Sequence, residues 1–456
     1  MRPSRTLTIV VAVLAATAAL AACGSSSKKS SGSSTTTAAN SAASNAPAVG
    51  VTPTEIKLGV ALVDFSCVRN FTDTIRENQD QVYSAYINDI NQKGGIDGRK
   101  IVPFFESYCP VGSSGPLNVC TKLTEDDKVF AVLGTFIDFS GDAQSCVAKQ
   151  HHTPLLTFNL TDAEIAAAPP GLVVYPGATN ERVARILLQL LDKQKTLKGK
   201  KAAVLGGTNE SEVVNKTIVP GLRKLGVPLG TTAILSVGSS TDTTAAQAQL
   251  DSFIERWKTE GVNAVFLSGD EVSSIAFVTK LRQAMPKVLL MVDTTDIKGE
   301  GQQLTAQGVK PNPYEGMLSA NGPTSHEYDT GPNWAYCKPI YEKETGKPAP
   351  DAEHIIKTSD GKILDTNGSI NDACQVVTIF HDIAVRVGKN LNATTWAAAV
   401  NSYGKITNRG GGPYASLHSG KYDIDDSFRL VAFDSSIPPS GDWKPLTPLE
   451  DITGAA

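Results

Sequence analysis

The chain lacks an excess of charge of either sign and lacks long apolar runs beyond its first residues. Its 42 Lys and Arg residues nearly balance 46 Asp and Glu residues, and the formal net charge is −4. Without a basic stripe, a nucleic-acid partner is not expected. No later apolar run approaches the 18 residues that indicate a transmembrane helix. We therefore expect a globular body that does not cross a membrane.

Signatures of catalysis, metal binding and cofactor binding are also missing. G-x-S-x-G, P-loop and H-E-x-x-H motifs do not occur. The closest cysteines, Cys109 and Cys120, are too far apart for the C-x-x-C pairs of a zinc site. His151 and His152 are adjacent, but no third metal ligand is evident. The sequence predicts a protein that is not an enzyme and binds no metal and no cofactor.

The first residues have the pattern of an export signal. Two arginines precede an apolar run of 14 residues, Leu7–Leu20, which is too short to span a bilayer. Small residues then lead into Cys23, and this junction resembles the lipobox of bacterial lipoproteins, in which the cysteine is acylated. We interpret residues 1–22 as a lipoprotein signal peptide and Cys23 as the lipidation site. An ordinary signal peptide with a chance cysteine is the alternative.

Residues 23–50 are predicted to form a disordered tether. The segment consists almost wholly of Ser, Thr, Ala, Gly and Asn, and Lys28 and Lys29 are its only charged residues. Such a composition buries too little apolar surface to offset the entropy lost on ordering. A flexible chain of this length reaches roughly 30 Å. The expected location is therefore the outer face of the cell membrane, with the body held by lipid.

The remaining body, residues 51–456, is long enough for two domains. Six cysteines remain once Cys23 is assigned to lipid, and an even number in an exported protein indicates disulfides. Six cysteines allow 15 pairings, and their spacing does not choose among them.

Strand and helix patterns alternate along the body in two series. Near-continuous apolar strands separated by helices are typical of parallel sheets covered on both faces. The fold class is therefore predicted to be α/β, with two doubly wound lobes. The predicted strands are 56–65, 100–105, 129–134, 154–159, 172–175, 202–206, 232–237, 264–268, 288–292, 314–321 and 428–433. The predicted helices are 72–92, 243–259, 272–285, 334–345, 371–387 and 391–403, and 347–369 is predicted to be an exposed loop.

Several segments resemble one known family. The helix end Ile87–Asn91, the following Gly94–Lys100 and the short match Glu315–Met317 are similar to branched-chain amino-acid-binding proteins of the type I periplasmic-binding fold, the receptors of ABC importers. The resemblance implies two lobes joined by three crossovers, near Gly177, Pro313 and Tyr403. Lobe 1 would comprise 51–177 plus 316–403, and lobe 2 would comprise 178–315 plus 404–445. The ligand would bind between lobes that close by a hinge.

The resemblance also implies which residues of the first lobe contact the ligand. The loop after the third strand carries Asp138, Phe139 and Ser140, and it departs from the family's run of small hydroxyl residues by including Asp138 and large apolar side chains. Because Asp138 would repel a ligand carboxylate, it argues against an amino-acid ligand. Asp138 would equally suit a helix cap. Asn159 and Thr161 follow the fourth strand, and Thr161 has helix capping as its alternative role. Asp64 and Phe65, after the first strand, complete the set of implied first-lobe contacts.

In the second lobe, the resemblance points to two acids at strand ends. Asp293 lies where the family carries an acid that holds a ligand ammonium group, with a turn or helix-cap role as the alternative. Asp270 ends the preceding strand and departs from the aromatic residue that the family often has there. With this fold, the implied disulfides are Cys67–Cys109, Cys120–Cys146 and Cys337–Cys374.

The predicted function is a lipid-anchored, monomeric substrate-binding protein of an ABC importer. It would capture a small polar solute, such as an amino acid, an amide or a related compound. Its partners would be this small-molecule ligand, an ABC permease and the membrane. A sensor or regulator of the same fold, which signals instead of importing, is the alternative.

Overall fold

The structure is a computed structural model that describes residues 48–70, 72, 74–136, 141–207, 210–235, 243–294, 297–354 and 356–453. The predicted signal peptide and Cys23 lie outside the described residues. The described residues belong to one compact unit. Within them, no helix has the length and apolar character needed to cross a bilayer.

The strands, in chain order, range from two to nine residues. They are β1 (Glu55–Val63), β2 (Thr74–Ile75), β3 (Lys100–Tyr108), β4 (Ala131–Thr135), β5 (Leu155–Phe158), β6 (Val173–Val174), β7 (Ala202–Gly207), β8 (Leu229–Leu235), β9 (Ala264–Ser268), β10 (Leu289–Val292), β11 (Leu318–Asn321), β12 (Ile356–Lys357), β13 (Ile363–Leu364), β14 (Gly404–Lys405), β15 (Ser416–Leu417), β16 (Ser427–Asp434), β17 (Asp442–Pro445) and β18 (Glu450–Asp451).

The helices alternate with these strands. They are α1 (Phe65–Val68), α2 (Gln79–Gln92), α3 (Ser114–Thr121), α4 (Asp142–Ser145), α5 (Asp162–Ala167), α6 (Asn180–Lys193), α7 (Ser211–Val213), α8 (Val219–Lys224), α9 (Thr243–Glu260), α10 (Asp270–Ser273), α11 (Ile275–Ala284), α12 (Ile297–Ala306), α13 (Ser325–Asp329), α14 (Pro332–Thr345), α15 (Thr366–Val387) and α16 (Ala393–Asn401). Single π-helical turns extend α3, α4 and α7, and a 3₁₀ turn follows α15.

Two mainly parallel sheets form the centre of the molecule. The first has the order β3-β1-β4-β5-β6, and the second has the order β17-β16-β11-β10-β9-β7-β8 with β18 beside β16. All five residues of β9 are buried, as expected for a strand covered on both faces. Separate apolar clusters lie on the two faces of each sheet. The predicted α/β class with two parallel-sheet cores is confirmed.

The helix predicted to begin at Thr72 begins instead at Gln79. The preceding residues form β2, which pairs with β13 almost 300 residues later, and Asn78 has a left-handed φ of 53°. The same pairing corrects the predicted loop 347–369, which contains β12, β13 and the start of α15. The helix ends as predicted, because Gly94 and Gly95 adopt positive φ values of 107° and 70°.

The second and third crossovers lie later in the chain than predicted. β11 pairs with β10 and β16, so residues 318–321 belong to the second sheet and not to the first lobe. The chain therefore leaves the second sheet at Gly322, beyond Pro313. After α16, residues such as Leu417 and Ile424 still pack in the first-sheet core, so the chain returns near Asp425 and not near Tyr403. Position along the sequence does not reveal these strand pairings.

The connecting segments lie side by side and are joined by buried ion pairs. The backbone of Tyr175, two residues before Gly177, forms a parallel β-bridge with that of Asp423. Arg182 of α6 contacts Asp423 at 3.1 Å and the buried Asp426 at 2.5 Å. Burial raises the pKa of Asp426, but a hydrogen bond from Ser416 and the charges of Lys421 and Arg182 bring it below its usual range. We call Arg182, Lys421, Asp423 and Asp426 the crossover ion-pair network.

Three disulfides link the six body cysteines. They join Cys67 to Cys109, Cys120 to Cys146, and Cys337 to Cys374, which is the pairing implied by the fold. The first joins the segment after β1 to the end of β3, and the last joins α14 to α15. Because Cys120 and Cys146 are disulfide-bonded, their proximity to His151 does not make a metal site.

Candidate ligand-binding cleft

The carboxyl ends of the two sheets meet at the start of α6. Asp162, in the segment after β5, accepts hydrogen bonds from Thr179 Oγ1 at 2.5 Å and from Arg185 Nη1 at 2.8 Å. Thr179 caps α6 and Arg185 lies within it, whereas α6 packs against β11 and β16 of the second sheet. In open parallel sheets, ligands bind beyond the carboxyl ends of strands. This junction is therefore the candidate site.

Asp293, at the end of β10, is the most deeply buried acid of the site. It is fully buried, and its carboxyl group accepts hydrogen bonds from Ser268 Oγ at 2.6 Å and from the Gly269 amide at 2.9 Å. Burial raises its pKa to about 8, with Glu210 and Asp270 adding to the shift and the two hydrogen bonds opposing it. Asp293 therefore retains a proton at neutral pH when no cation is nearby.

Two further acids lie beside Asp293. Asp270 follows β9, and although its side chain reaches solvent, desolvation by the surrounding protein raises its pKa while a hydrogen bond with Thr294 opposes this. Glu210 follows β7 and packs on Gly269, where an added Cβ atom would lie 2.6 Å from Glu210 Cγ. The second sheet thus presents carboxyl groups from three strand ends.

Glu181, the second residue of α6, extends this acidic surface towards the first sheet. The residue is 6% exposed, and its Oε2 atom is buried with no hydrogen-bond partner in the part of the chain that the structure describes. Burial raises its pKa to about 7, and the negative charges of Asp162 and Glu210 contribute to the shift. We call Asp162, Glu181, Glu210, Asp270 and Asp293 the acidic cleft cluster.

The ligand contacts predicted for the first sheet do not all lie in one place in the structure. Asp64 caps α1, accepting from the Ser66 amide at 2.9 Å, and with Phe65 it lines an open cavity of about 520 Å³. This cavity is bounded by residues 62–66, 69, 75–80, 105 and 107, all beside the first sheet. The structure therefore groups Asp64 and Phe65 in a cavity whose described lining includes no member of the acidic cleft cluster.

The other predicted contacts of the first sheet are local turn and cap residues or lie outside the described part. Asn159 is exposed and has a positive φ of 59°. Thr161 forms a capping box with Glu164, accepting from the Glu164 amide at 3.2 Å and donating to its carboxylate at 2.8 Å. This is the capping role that the sequence left open. Asp138, Phe139 and Ser140 lie outside the described residues.

The profile of one protein family matches most of the body. The match to the periplasmic binding protein family covers residues 55–361. The chain belongs to the periplasmic binding protein family. No curated protein sequence matches it at a significant level.

Solved structures of other periplasmic binding proteins share the fold at low sequence identity. A leucine-, isoleucine-, valine-, threonine- and alanine-binding protein from Brucella ovis is 13% identical, with a TM-score of 0.62 over 88% of this chain and 96% of its own. A fatty acid ABC transporter substrate-binding protein from Thermomonospora curvata is 16% identical, with a TM-score of 0.60 over 90% and 95%. A solute-binding protein from Rhodopseudomonas palustris, in complex with 3,4-dihydroxybenzoic acid, is 13% identical, with a TM-score of 0.60 over 87% and 98%.

In this periplasmic binding protein, Asp270 and Asp293, which the sequence suggested as ligand contacts, lie with Glu181 and Glu210, which the sequence did not single out. Glu210 was detectable, because it follows a strand of the second series as Asp270 does. Glu181 gives no such signal, since an acid in the first turn of a helix is ordinarily explained by the helix dipole. The family is one of binding proteins, and the cluster offers carboxyl groups for recognising a cationic solute.

Proposed function

We propose that this protein captures a small polar solute between its two sheets and delivers it to an ABC-type permease. Family membership supports solute binding, and similar solved structures are described as ABC transporter substrate-binding proteins. The observation that carries the proposal is the acidic cleft cluster, which gathers at the junction of the two sheets. Buried carboxyl groups at such a junction favour a solute that carries a positive group.

We further propose that two lobes close on the solute by bending at the crossovers. The first lobe is built on β1–β6 and the second on β7–β11 with β16, and the connecting segments run side by side near Gly177, Gly322 and Asp425. Side-by-side connections of this kind allow one lobe to rotate relative to the other with few changes in the backbone conformation of the connecting segments. Solute binding to the purified protein should then reduce the radius of gyration in X-ray scattering.

Lipid attachment at Cys23 is part of the same proposal. Export through a signal peptide agrees with the three disulfides of the body, because such bonds persist in oxidising compartments. Expressed in a bacterial host, the protein should partition into the detergent phase, and Cys23→Ala should move it to the aqueous phase. Aqueous partition of both forms would contradict the anchor.

A thermal-shift screen of amino acids, amides, amines and carboxylates tests the binding function. A solute at about 100 times its Kd adds about 2.7 kcal/mol to the free energy of unfolding. Asp293→Ala should abolish the stabilisation by an ammonium-bearing hit. The exposed control Asp192→Ala should keep it. A hit that stabilises Asp293→Ala as strongly as the unaltered protein would remove Asp293 from the ligand site.

A further inference from the structure

The acidic cleft cluster contains more carboxyl groups than one ammonium group requires. Asp270 and Asp293 lie at one end, and Asp162 and Glu181 lie at the other, with Glu210 acting electrostatically on both Asp293 and Glu181. We propose that Glu181, with Asp162 and Glu210, forms a second cation-binding subsite, so that the solute is a small amine with two positive groups. This inference rests on the proposed solute-binding function and names its substrate class.

One buried carboxyl oxygen of Glu181 lacks a partner within the part of the chain that the structure describes. The residue is 6% exposed, its Oε2 atom has no hydrogen-bond partner among the described residues, and the charged groups that shift its pKa, Asp162 and Glu210, are acidic. A buried carboxylate without a counter-charge is unfavourable. An ammonium group placed between these acids would donate charge-assisted hydrogen bonds to the free oxygen.

The basic side chains that follow Glu181 on α6 already form ion pairs, although the Nε atoms of Arg182 and Arg185 are buried without a partner among the described residues. Arg185 donates to Asp162 at 2.8 Å. Arg182, the next residue after Glu181, is held by Asp423 and Asp426 in the crossover ion-pair network. A zwitterionic amino acid would bring a carboxylate to a surface whose described cations are neutralised, and the acids would repel it.

Aromatic side chains lie at the carboxyl ends of two strands of the first sheet. Phe158 and Tyr175, at the ends of β5 and β6, are half-buried and stack edge to face with ring centroids 6.5 Å apart. Apolar rings suit the methylene chain of an amine, and aromatic faces also attract ammonium groups. Carboxyl groups gathered around both Asp293 and Glu181 suit a solute with two positive groups, and a diaminoalkane is the simplest such compound.

Calorimetric titration of the purified protein with 1,4-diaminobutane, 1-aminobutane, lysine and leucine tests the second subsite. The diamine should bind at least 30-fold more tightly than the monoamine. Glu181→Gln, which keeps the shape and removes the charge, should abolish this preference with little effect on the monoamine. The matched control Glu255→Gln, whose side chain is 72% exposed and paired with Lys258, should retain it.

Circular dichroism establishes whether Glu181→Gln folds, and Glu210→Gln serves as a second variant with the same expected loss. Equal affinity for the two amines, tighter binding of leucine, or an unchanged diamine affinity in both variants would overturn the second subsite. In these cases the proposed solute-binding function would stand. Absence of binding by these compounds and by every compound of the broader thermal-shift screen would contradict the proposed function itself.

Discussion

Asp293 and Glu181 are buried carboxyl groups that have no basic partner among the described residues. Asp293 accepts hydrogen bonds from the neutral donors Ser268 and Gly269, whereas one oxygen of Glu181 has no donor within the described part of the chain. In both, burial is the main cause of a raised pKa. At pH 7 Asp293 is therefore mainly protonated and Glu181 about half protonated, and a cationic solute would replace the proton.

This protonation makes stability depend on pH in a defined direction. The native pKa of Asp293 is about 8 against an ordinary value of 3.8, so between these values the folded form holds a proton that the unfolded form releases. Unfolding free energy should fall as pH rises towards 8, by up to about 1.4 kcal/mol per pH unit for one proton. Thermal unfolding of the solute-free protein should thus show a higher Tm at pH 6 than at pH 9.

Asp293→Asn should reduce this slope, and Asp192→Asn, an exposed control, should not. Glu181 shifts in the same direction, so part of the slope should remain in Asp293→Asn. Other groups that act on Asp293 are Glu210 and Asp270, which both raise its pKa. A Tm that rises with pH over this range would contradict the assignment of a protonated Asp293.

At the scale of secondary-structure elements, fully buried strands could be predicted from the sequence. Features that depend on pairing with a distant strand could not. Apolar runs identified β4 and β9 because strands buried on both faces carry apolar side chains throughout. The start of α2 was missed because β2 forms only through β13. The sheet to which β11 belongs depends likewise on β16, which is more than 100 residues away.

The same distinction applies to the site. The rule that ligands bind beyond strand ends led to Asp270 and Asp293. The rule also led to Thr161, where local capping by Glu164 explains the hydroxyl group. Glu181 becomes a site residue only through its burial beside Asp162 and Glu210, which is a property of the folded chain.

The disulfide between α14 and α15 is expected to contribute substantially to stability. Cys337 and Cys374 are fully buried and 37 residues apart, and both helices pack against α2. In the chain-entropy account, closing a loop of this length contributes about 4 kcal/mol. Replacing both cysteines by alanine should lower the denaturant-derived unfolding free energy by roughly this amount. An unchanged denaturation midpoint would show that helix packing alone suffices.

At the scale of the whole molecule, the crossover ion-pair network joins the two sheets. Arg182 and Asp426 are both buried, so loss of the arginine leaves a carboxylate with Lys421 as its remaining basic contact, at 3.2 Å. Removing one partner of a buried pair typically costs about 3–5 kcal/mol. Arg182→Met should therefore lower the unfolding free energy by about 3 kcal/mol in chemical denaturation.

Arg185→Met is the matched control on the same helix. Arg185 and its partner Asp162 have side chains 35% and 42% exposed, and such pairs contribute about 1 kcal/mol or less. A comparable loss in the two variants would contradict the special role of the buried network.

Glu181 and Arg182 are consecutive residues of α6. Glu181 belongs to the acidic cleft cluster, whereas Arg182 forms ion pairs in the crossover ion-pair network. A change in solute preference that shifts the start of α6 would also disturb the connection between the sheets. Among homologues, substitutions that change solute specificity should therefore occur mainly at Glu210 and Asp270, which follow strand ends away from the crossovers. The start of α6 should diverge last among homologues with different solutes.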